Sequence, residues 1–183
     1  MTPGLIAMPV QDVMFVPAVE SLLRLERPRG TAVVLETGSM PIDAKRNRLM
    51  EQFLADPRFG WTLLLDADHT YPPDLLRRLL AHDVPFVGVP YHRRVPPFAP
   101  MLGTGCILVR REVIVRMTPP WFQFPRPGDP LFGAGEDGYF CDAVAALGVD
   151  LLADHSIPLG HVGVTTVDAD FAAAYQAVQH GNA

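Results

Sequence analysis

The sequence has little lysine, few cysteines and no long hydrophobic run among its 183 residues. Lys45 is the one lysine among 15 basic residues, and 20 acidic residues bring the net charge to −5. Strong attraction to nucleic acid or to an anionic membrane is therefore not expected. No apolar stretch approaches the roughly 18 residues that a membrane span needs, and the first residues lack the regions of a signal peptide. We expect a cytoplasmic protein without a membrane span.

The two cysteines, Cys106 and Cys141, form no C-x-x-C pair. We therefore expect two buried thiols rather than a redox or metal motif. The length fits one domain with its own core, and no internal repeat or linker divides it. The sequence predicts a single domain over residues 1–183.

Apolar runs alternate with helical patterns through the first half of the chain. The strand candidates are GLIAMPV, GTAVVLETG, GWTLLLDAD and PFVGVPY, and the helix candidates between them are FVPAVESLLRL, PIDAKRNRLMEQFLADP and PPDLLRRLLAHD. This order predicts an α/β fold with a doubly wound, mostly parallel sheet, helices on both faces and right-handed crossovers.

The second half is less regular. GTGCILVRREVIV predicts a strand that runs into a short helix, and a proline-rich and aromatic segment follows it. EDGYFCDAVAALG and DADFAAAYQAVQ have helical spacing, whereas VDLLAD and SIPLGHVG indicate short strands. We expect the aromatic residues Trp121, Phe122 and Phe124 either to form a lid that contacts a ligand or to cover the core.

Asp66 and Asp68 stand at the end of the third apolar run, in WTLLLDADH. Residues two apart on a strand point to the same side, so the two carboxylates are expected to converge. The carboxyl edge of a parallel sheet is where ligands bind in open α/β folds. Two carboxylates there suit Mg²⁺ or Mn²⁺, which keep positions for water and phosphate. The alternative is that both residues cap the following helix or lie in a solvated loop.

Five stretches together resemble the GT-A fold glycosyltransferases, and within them the family-two-like enzymes that use nucleotide sugars and a D-x-D motif. They are DAKRN, LLLDADH, GTGCILVRREV, GEDGYF and PLGHVG, in the family's order along nearly the whole chain. The resemblance implies a GT-A (Rossmann-like) fold, with a nucleotide-binding half over residues 1–92. Residues 93–183 would then bind the acceptor and complete the metal site.

The resemblance also implies a metal site and a base. Asp66 and Asp68 would hold the ion, and His161, or else His155, would complete its ligands. Asp137, preceded by Glu136, would be the catalytic general base that takes the proton of the acceptor hydroxyl. The alternative for this acidic pair is helix capping.

Donor binding is predicted at the ends of the first two strands and in the second helix. By resemblance, Pro9, Gln11 and Glu36 would hold the base and ribose. Arg46 lies on the apolar stripe of its helix, so it points toward the sheet, where a diphosphate would satisfy a buried guanidinium. The alternative is a salt bridge to Glu36 or Asp66. The predicted donor contacts are Pro9, Gln11, Glu36, Arg46, Asn47 and Asp66.

We therefore expect a metal-dependent glycosyltransferase of hexosyltransferase type, with a UDP- or GDP-sugar donor and an unidentified hydroxyl acceptor. The acceptor could be a glycan, a metabolite, a protein or a modified nucleobase. D-x-D-x-T also fits haloacid dehalogenase-like phosphatases, although two β-α units precede it here. A sugar-phosphate nucleotidyltransferase lacks support because the N-terminus has no glycine-rich phosphate loop. A non-catalytic domain that binds sugar nucleotides or glycans is the third alternative. The sequence does not fix the oligomeric state.

Overall fold

The computed structural model describes residues 2–93 and 100–164, together with the isolated positions 169 and 176. The predicted terminal helix, DADFAAAYQAVQ, lies outside the described residues apart from those two positions. The strands are β1 (Gly4–Pro9), β2 (Ala32–Glu36), β3 (Trp61–Leu65), β4 (His69–Thr70), β5 (Phe86–Gly88), β6 (Tyr91–His92), β7 (Pro100–Met101), β8 (Cys106–Arg110), β9 (Leu152–Ala153) and β10 (Gly160–His161). The helices are α1 (Val16–Arg24), α2 (Ile42–Ala55), α3 (Leu75–Ala81), α4 (Arg111–Arg116) and α5 (Gly135–Ala146).

Six strands form the central sheet, in the order β2-β1-β3-β8-β5-β9. The pairs β1–β2, β1–β3 and β5–β9 are parallel, which confirms the predicted mostly parallel sheet. β8 differs, because it lies antiparallel between β3 and β5. The prediction missed this insertion. In the sequence, β6 and β7 follow β5 and pair with each other as an antiparallel ribbon. After this ribbon the chain enters the sheet again as β8, which runs in the opposite direction to β5.

Two apolar cores cover the two faces of the sheet. Leu64 packs with Leu49 and Phe53 of α2 on one face. Leu63 packs with Leu75 of α3 on the other face, as expected for neighbouring strand residues that point in opposite directions. Helices therefore lie on both faces, as the pattern of the sequence predicts.

Helix α2 carries two cations on its buried face. Lys45 is fully buried, and its Nζ donates a 2.7 Å hydrogen bond to the carbonyl of Val10, just after β1. Arg46 is only 2% exposed and lies on the stripe formed by Leu49 and Phe53. The predicted direction of Arg46 is confirmed. Because a buried charge is costly without partners, the surroundings of Arg46 determine what this helix contributes to function.

The aromatic segment belongs largely to the core. Trp121 and Phe122 are buried, and the ring of Phe122 stacks on that of Phe140 with centroids 4.4 Å apart. Phe124 is 48% exposed. The core interpretation therefore holds for two of the three aromatic side chains.

Cys106 and Cys141 are unpaired, and burial raises the pKa of the Cys106 thiol. Among the described helices, none has the length and apolar character that a membrane crossing requires.

Candidate active site

A cleft of about 350 Å³ opens where β1 and β3 end. Its lining combines apolar side chains with carboxylates that surround one guanidinium. The lining residues are Pro9, Gln11, Val13, Phe15, Ile42, Arg46, Asp66, Ala67, Asp68, Glu136 and Asp137. The position agrees with the general rule that ligands bind at the carboxyl edge of a parallel sheet.

Asp66 and Asp68, which were expected to converge on one metal ion, contact different partners inside this cleft. β3 ends at Leu65, and the backbone N–H of Asp66 makes one further 3.0 Å bond to the carbonyl of Gly105. The chain then turns before β4, so the alternation of a strand does not govern these side chains. Asp66 bonds to Arg46, whereas Asp68 lies next to two histidines. The D-x-D motif thus serves two adjacent clusters.

The first cluster surrounds the guanidinium of Arg46. Its Nη2 donates to Asp66 Oδ1 at 2.7 Å, and its Nη1 donates to Asp137 Oδ1 at 2.7 Å. Nη1 also donates to Glu136 Oε1. One cation therefore holds three carboxylates that come from β3 and α5. The salt bridge to Asp66, which was the alternative to a diphosphate contact, is present.

Burial and neighbouring charges both shift the pKa values of the groups in this cluster. Burial alone would lower the pKa of Arg46, but the charges of Asp66, Asp137 and Glu136 raise it above its ordinary value. Burial raises the pKa of Glu136, and the nearby charge of Asp137 adds to this, although Arg46 opposes both. Since one guanidinium faces three carboxylates, the cleft favours cations over free anions.

Asp137 points away from its own helix. Both hydrogen bonds that its carboxylate accepts from described residues end on Oδ1, one from Arg46 and one from the hydroxyl of Thr104. Thr104 is fully buried in the turn that leads into β8. These two hydrogen bonds, rather than a capping bond to the backbone of its own helix, fix the position of the Asp137 carboxylate. The side chain is 20% exposed, so it remains open to the cleft.

The second cluster contains Asp68, His69 and His161. β4 and β10 pair antiparallel with His69 opposite His161, and the two rings stack with centroids 4.5 Å apart. Asp68 Oδ1 lies 3.2 Å from His69 Nδ1, and Asp68 Oδ2 lies 3.3 Å from His161 Nε2. One ligand atom from each residue lies within 4.8 Å of the others. These three residues could hold a metal ion.

The surroundings of the two histidine rings fit such a role. His161 Nδ1 lies 2.9 Å from the carbonyl of His92, which can accept only from a protonated Nδ1, so Nε2 is the ring nitrogen that faces Asp68. His69 is fully buried, and neither of its ring nitrogens has a hydrogen-bond partner among the described residues. A buried imidazole without a partner is costly. A bound ion would supply that partner, and a set of one carboxylate and two imidazoles suits manganese better than magnesium.

Tyr91, Gly103 and Gly105 complete the walls of the site. The ring of Tyr91 contacts both His69 and His161, and burial raises the pKa of its phenol, with the charges of Asp137 and Asp66 adding to the effect. A Cβ added to Gly105 would lie 2.8 Å from His69 Cε1 and 3.0 Å from Asp66 Oδ2. The absence of a side chain at Gly105 therefore lets the two clusters approach each other.

The predicted site residues fall into two groups. Pro9, Gln11, Arg46, Asp66, Asp68, Glu136 and Asp137 line the cleft, and His161 lies beside Asp68. Glu36 lies outside this lining and accepts a 2.9 Å hydrogen bond from Gln52. Asn47 also lies outside it and exchanges two hydrogen bonds with the backbone of Phe122. His155 is exposed and lines a separate cavity.

Two residues of the site were missed by sequence reasoning, and the role of a third was underestimated. His69 follows the D-x-D directly and was expected at most to contact the metal ligands from outside, because a single histidine there gives no sign of its partner. Thr104 lies inside the GTG stretch, and nothing in the sequence distinguishes its hydroxyl from that of any other threonine. Tyr91 ends an apolar run, and its contact with both histidines depends on the β6–β7 ribbon.

The fold is that of the GT-A glycosyltransferases and nucleotide-diphospho-sugar transferases, as the similarity to solved structures shows. The catalytic domain of Drosophila beta1,4galactosyltransferase 7, solved with xylobiose, superposes with a TM-score of 0.61 at 17% identity over 90% of this chain and 72% of that one. A197 from STIV gives 0.67 at 15% identity over 90% and 87%. A protein of Desulfovibrio desulfuricans G20 assigned as a nucleotide-diphospho-sugar transferase gives 0.51 at 13% identity over 85% and 80%. No protein-family model and no curated protein matches the sequence.

Proposed function

We propose that this protein is a metal-dependent glycosyltransferase that moves a sugar from a UDP- or GDP-sugar to a hydroxyl acceptor. The observation that carries the proposal is the cleft itself, whose lining includes both apolar side chains and carboxylates, and which shares Asp68 with the Asp68–His69–His161 cluster. The fold of the solved neighbours supports the same reaction class. A base and ribose suit the apolar side chains of the lining, and a metal-bound diphosphate suits the cluster that contains Asp68.

Asp68, His161 and His69 would hold the divalent ion, for which we favour Mn²⁺ over Mg²⁺ because imidazole is a softer ligand than carboxylate or water. When bound, such an ion supplies Lewis-acid stabilisation of the diphosphate as it leaves. The carboxylates around Arg46 would repel an unaccompanied diphosphate. Donor binding should therefore require the ion.

Asp137 would act as the general base in an inverting transfer. Its carboxylate is reachable from the cleft and is held in place by Arg46. It would take the proton of the acceptor hydroxyl while that oxygen attacks the anomeric carbon. Pro9 and Gln11 would contact the nucleoside. Arg46 acts in this proposal by holding the carboxylates rather than by contacting the diphosphate.

Residues 1–92 would bind the donor, and residues 93–183 would bind the acceptor and complete the metal site. Asp66 and Asp68 come from the first part, whereas Asp137 and His161 come from the second. The haloacid dehalogenase alternative is less favoured, because the nucleophile would be Asp66, whose Oδ1 bonds to Arg46.

The test is a thermal-shift screen of UDP, GDP and their sugars, with Mn²⁺ and with excess chelator. A ligand at 100 times its Kd stabilises the folded state by about 2.7 kcal/mol. We expect that gain with Mn²⁺ and its loss in Asp68→Ala. Asp74→Ala is the matched control, because Asp74 pairs with Arg77 on the surface. An equal shift in chelator would contradict the proposal. Turnover of a simple phosphate ester would favour the phosphatase, and binding without release of UDP or GDP would favour a binding domain.

A further inference from the structure

We propose that Thr104 is a positioning residue, which fixes Oδ1 of Asp137 so that Oδ2 takes the proton from the acceptor hydroxyl. The inference rests on the proposed function, since it needs Asp137 as the base. It adds a residue that does not line the cleft and assigns separate tasks to the two oxygens of the carboxylate.

The two oxygens of Asp137 have different surroundings. Oδ1 accepts hydrogen bonds from Arg46 Nη1 at 2.7 Å and from Thr104 Oγ1. Two donors from different elements, α2 and the turn before β8, hold this oxygen from two directions. No described residue donates a hydrogen bond to Oδ2. A carboxylate held in this way cannot rotate freely about its Cβ–Cγ bond, so the identity of the unbound oxygen is constant.

Oδ2 faces the backbone at Gly103. A Cβ added to Gly103 would lie 2.9 Å from Oδ2 and would also crowd the Tyr91 hydroxyl. Glycine at this position therefore avoids a clash with the unbound oxygen. Thr104, which follows this glycine, fixes Oδ1 through its hydroxyl. The GTG turn therefore lies next to both oxygens of the Asp137 carboxylate.

The proposed step assigns each atom. Oδ2 accepts the hydroxyl proton, the acceptor oxygen forms a bond to the anomeric carbon, and the bond from that carbon to the diphosphate oxygen breaks. The electron pair of that bond leaves with the diphosphate, and the proton stays on Asp137. Oδ1 takes no part in bond making, so its two hydrogen bonds remain in place throughout. A carboxylate fixed in advance needs no reorientation during the reaction.

The test compares Thr104→Val, Thr104→Ser and Asp137→Asn with wild type. The probes are UDP-glucose, UDP-galactose and GDP-mannose with Mn²⁺, with water as the acceptor, and the readouts are the kcat for release of UDP or GDP and the Kd of the donor by calorimetry. Thr62→Val is the matched control, because Thr62 of β3 is, like Thr104, a fully buried threonine, but its hydroxyl has no hydrogen-bond partner among the described residues. We expect Thr104→Val to lower kcat by about 10- to 100-fold, since the lost bond is to a charged group, with the donor Kd unchanged. Thr104→Ser should restore most of the rate.

Each outcome separates this inference from the proposed function. Wild-type kcat in Thr104→Val, together with a slow Asp137→Asn, would overturn the role of Thr104 alone. A Thr104→Ser variant as slow as Thr104→Val would also overturn it, because the lost group would then be the methyl. Normal turnover in Asp137→Asn would remove the base itself. Should Thr104→Val fail to fold, Thr104→Ala removes the donor without adding bulk, and wild-type kcat in that variant would overturn the inference.

Discussion

Nη1 of Arg46 lies 2.7 Å from Oδ1 of Asp137, although 91 positions separate the two residues in the sequence. The contact joins a helix of the first half of the chain to a helix of the second half. It places the predicted base beside the D-x-D motif, because the same guanidinium also bonds to Asp66.

Replacement of Arg46 should destabilise the whole protein. Arg46→Met leaves three carboxylates close together with no cation, and breaking a buried ion pair in this way costs about 3–5 kcal/mol. Urea unfolding measures the loss. Arg58→Ala is the control, because Arg58 forms a 2.6 Å ion pair with Asp56 on the surface, where such pairs contribute little. Equal effects of the two changes would show that the carboxylates around Arg46 are well solvated.

Asp137→Asn should leave donor and metal affinity intact and lower the rate of transfer by about 10²- to 10⁴-fold, because an amide cannot accept the proton. The measurement is release of UDP or GDP under single-turnover conditions. Asp142→Asn, an exposed change on the same helix, should have the wild-type rate. A normal rate for Asp137→Asn would restrict Asp137 to a structural role.

His161→Ala should weaken Mn²⁺ binding and shift the preference of the protein toward Mg²⁺, because a soft ligand is lost. Mn²⁺ affinity of the wild type should also fall on acidification, since a protonated imidazole cannot bind a metal. Titration of folded protein by electron paramagnetic resonance gives the affinity. His155→Ala should change nothing, because His155 lines a different cavity. Lost affinity in that control, with normal affinity in His161→Ala, would transfer the ligand role to His155.

Gly105→Ala should weaken Mn²⁺ binding by about tenfold, which corresponds to about 1.4 kcal/mol. The new Cβ would lie 2.8 Å from His69 Cε1, so the ring must move. Gly60→Ala introduces a Cβ 2.8 Å from Thr2 Cγ2, far from the cleft and against a terminal side chain. That variant should bind the ion normally. Normal binding in both variants would mean that His69 and Asp66 can shift without consequence.

The unfolding free energy should depend on Asp154 in acid. Burial acts in the opposite direction, but hydrogen bonds from Ser156 and His82 lower the pKa of Asp154 to about 2. The unfolded value is about 3.9, so the ionised group contributes its full stabilisation above about pH 4 and loses it as the pH falls toward 2. The difference in unfolding free energy between wild type and Asp154→Asn should therefore shrink between pH 5 and pH 2. A constant difference would contradict this, and Ser156→Ala should reproduce part of the effect.

The sequence by itself determined the alternation of strands and helices, the cleft at the end of β3 and the inward direction of Arg46. These features follow from local hydrophobic periodicity, which indicates which face of a helix or strand is buried. Periodicity does not indicate which residues a buried side chain contacts. The antiparallel insertion of β8 depends on the path of the β6–β7 ribbon, and the end of β3 at Leu65 turned Asp66 and Asp68 to different partners. The neighbours of Arg46, the His69–His161 stack and the bond from Thr104 to Asp137 join residues between 20 and 92 positions apart, so only the packing of the sheet and helices could bring them together.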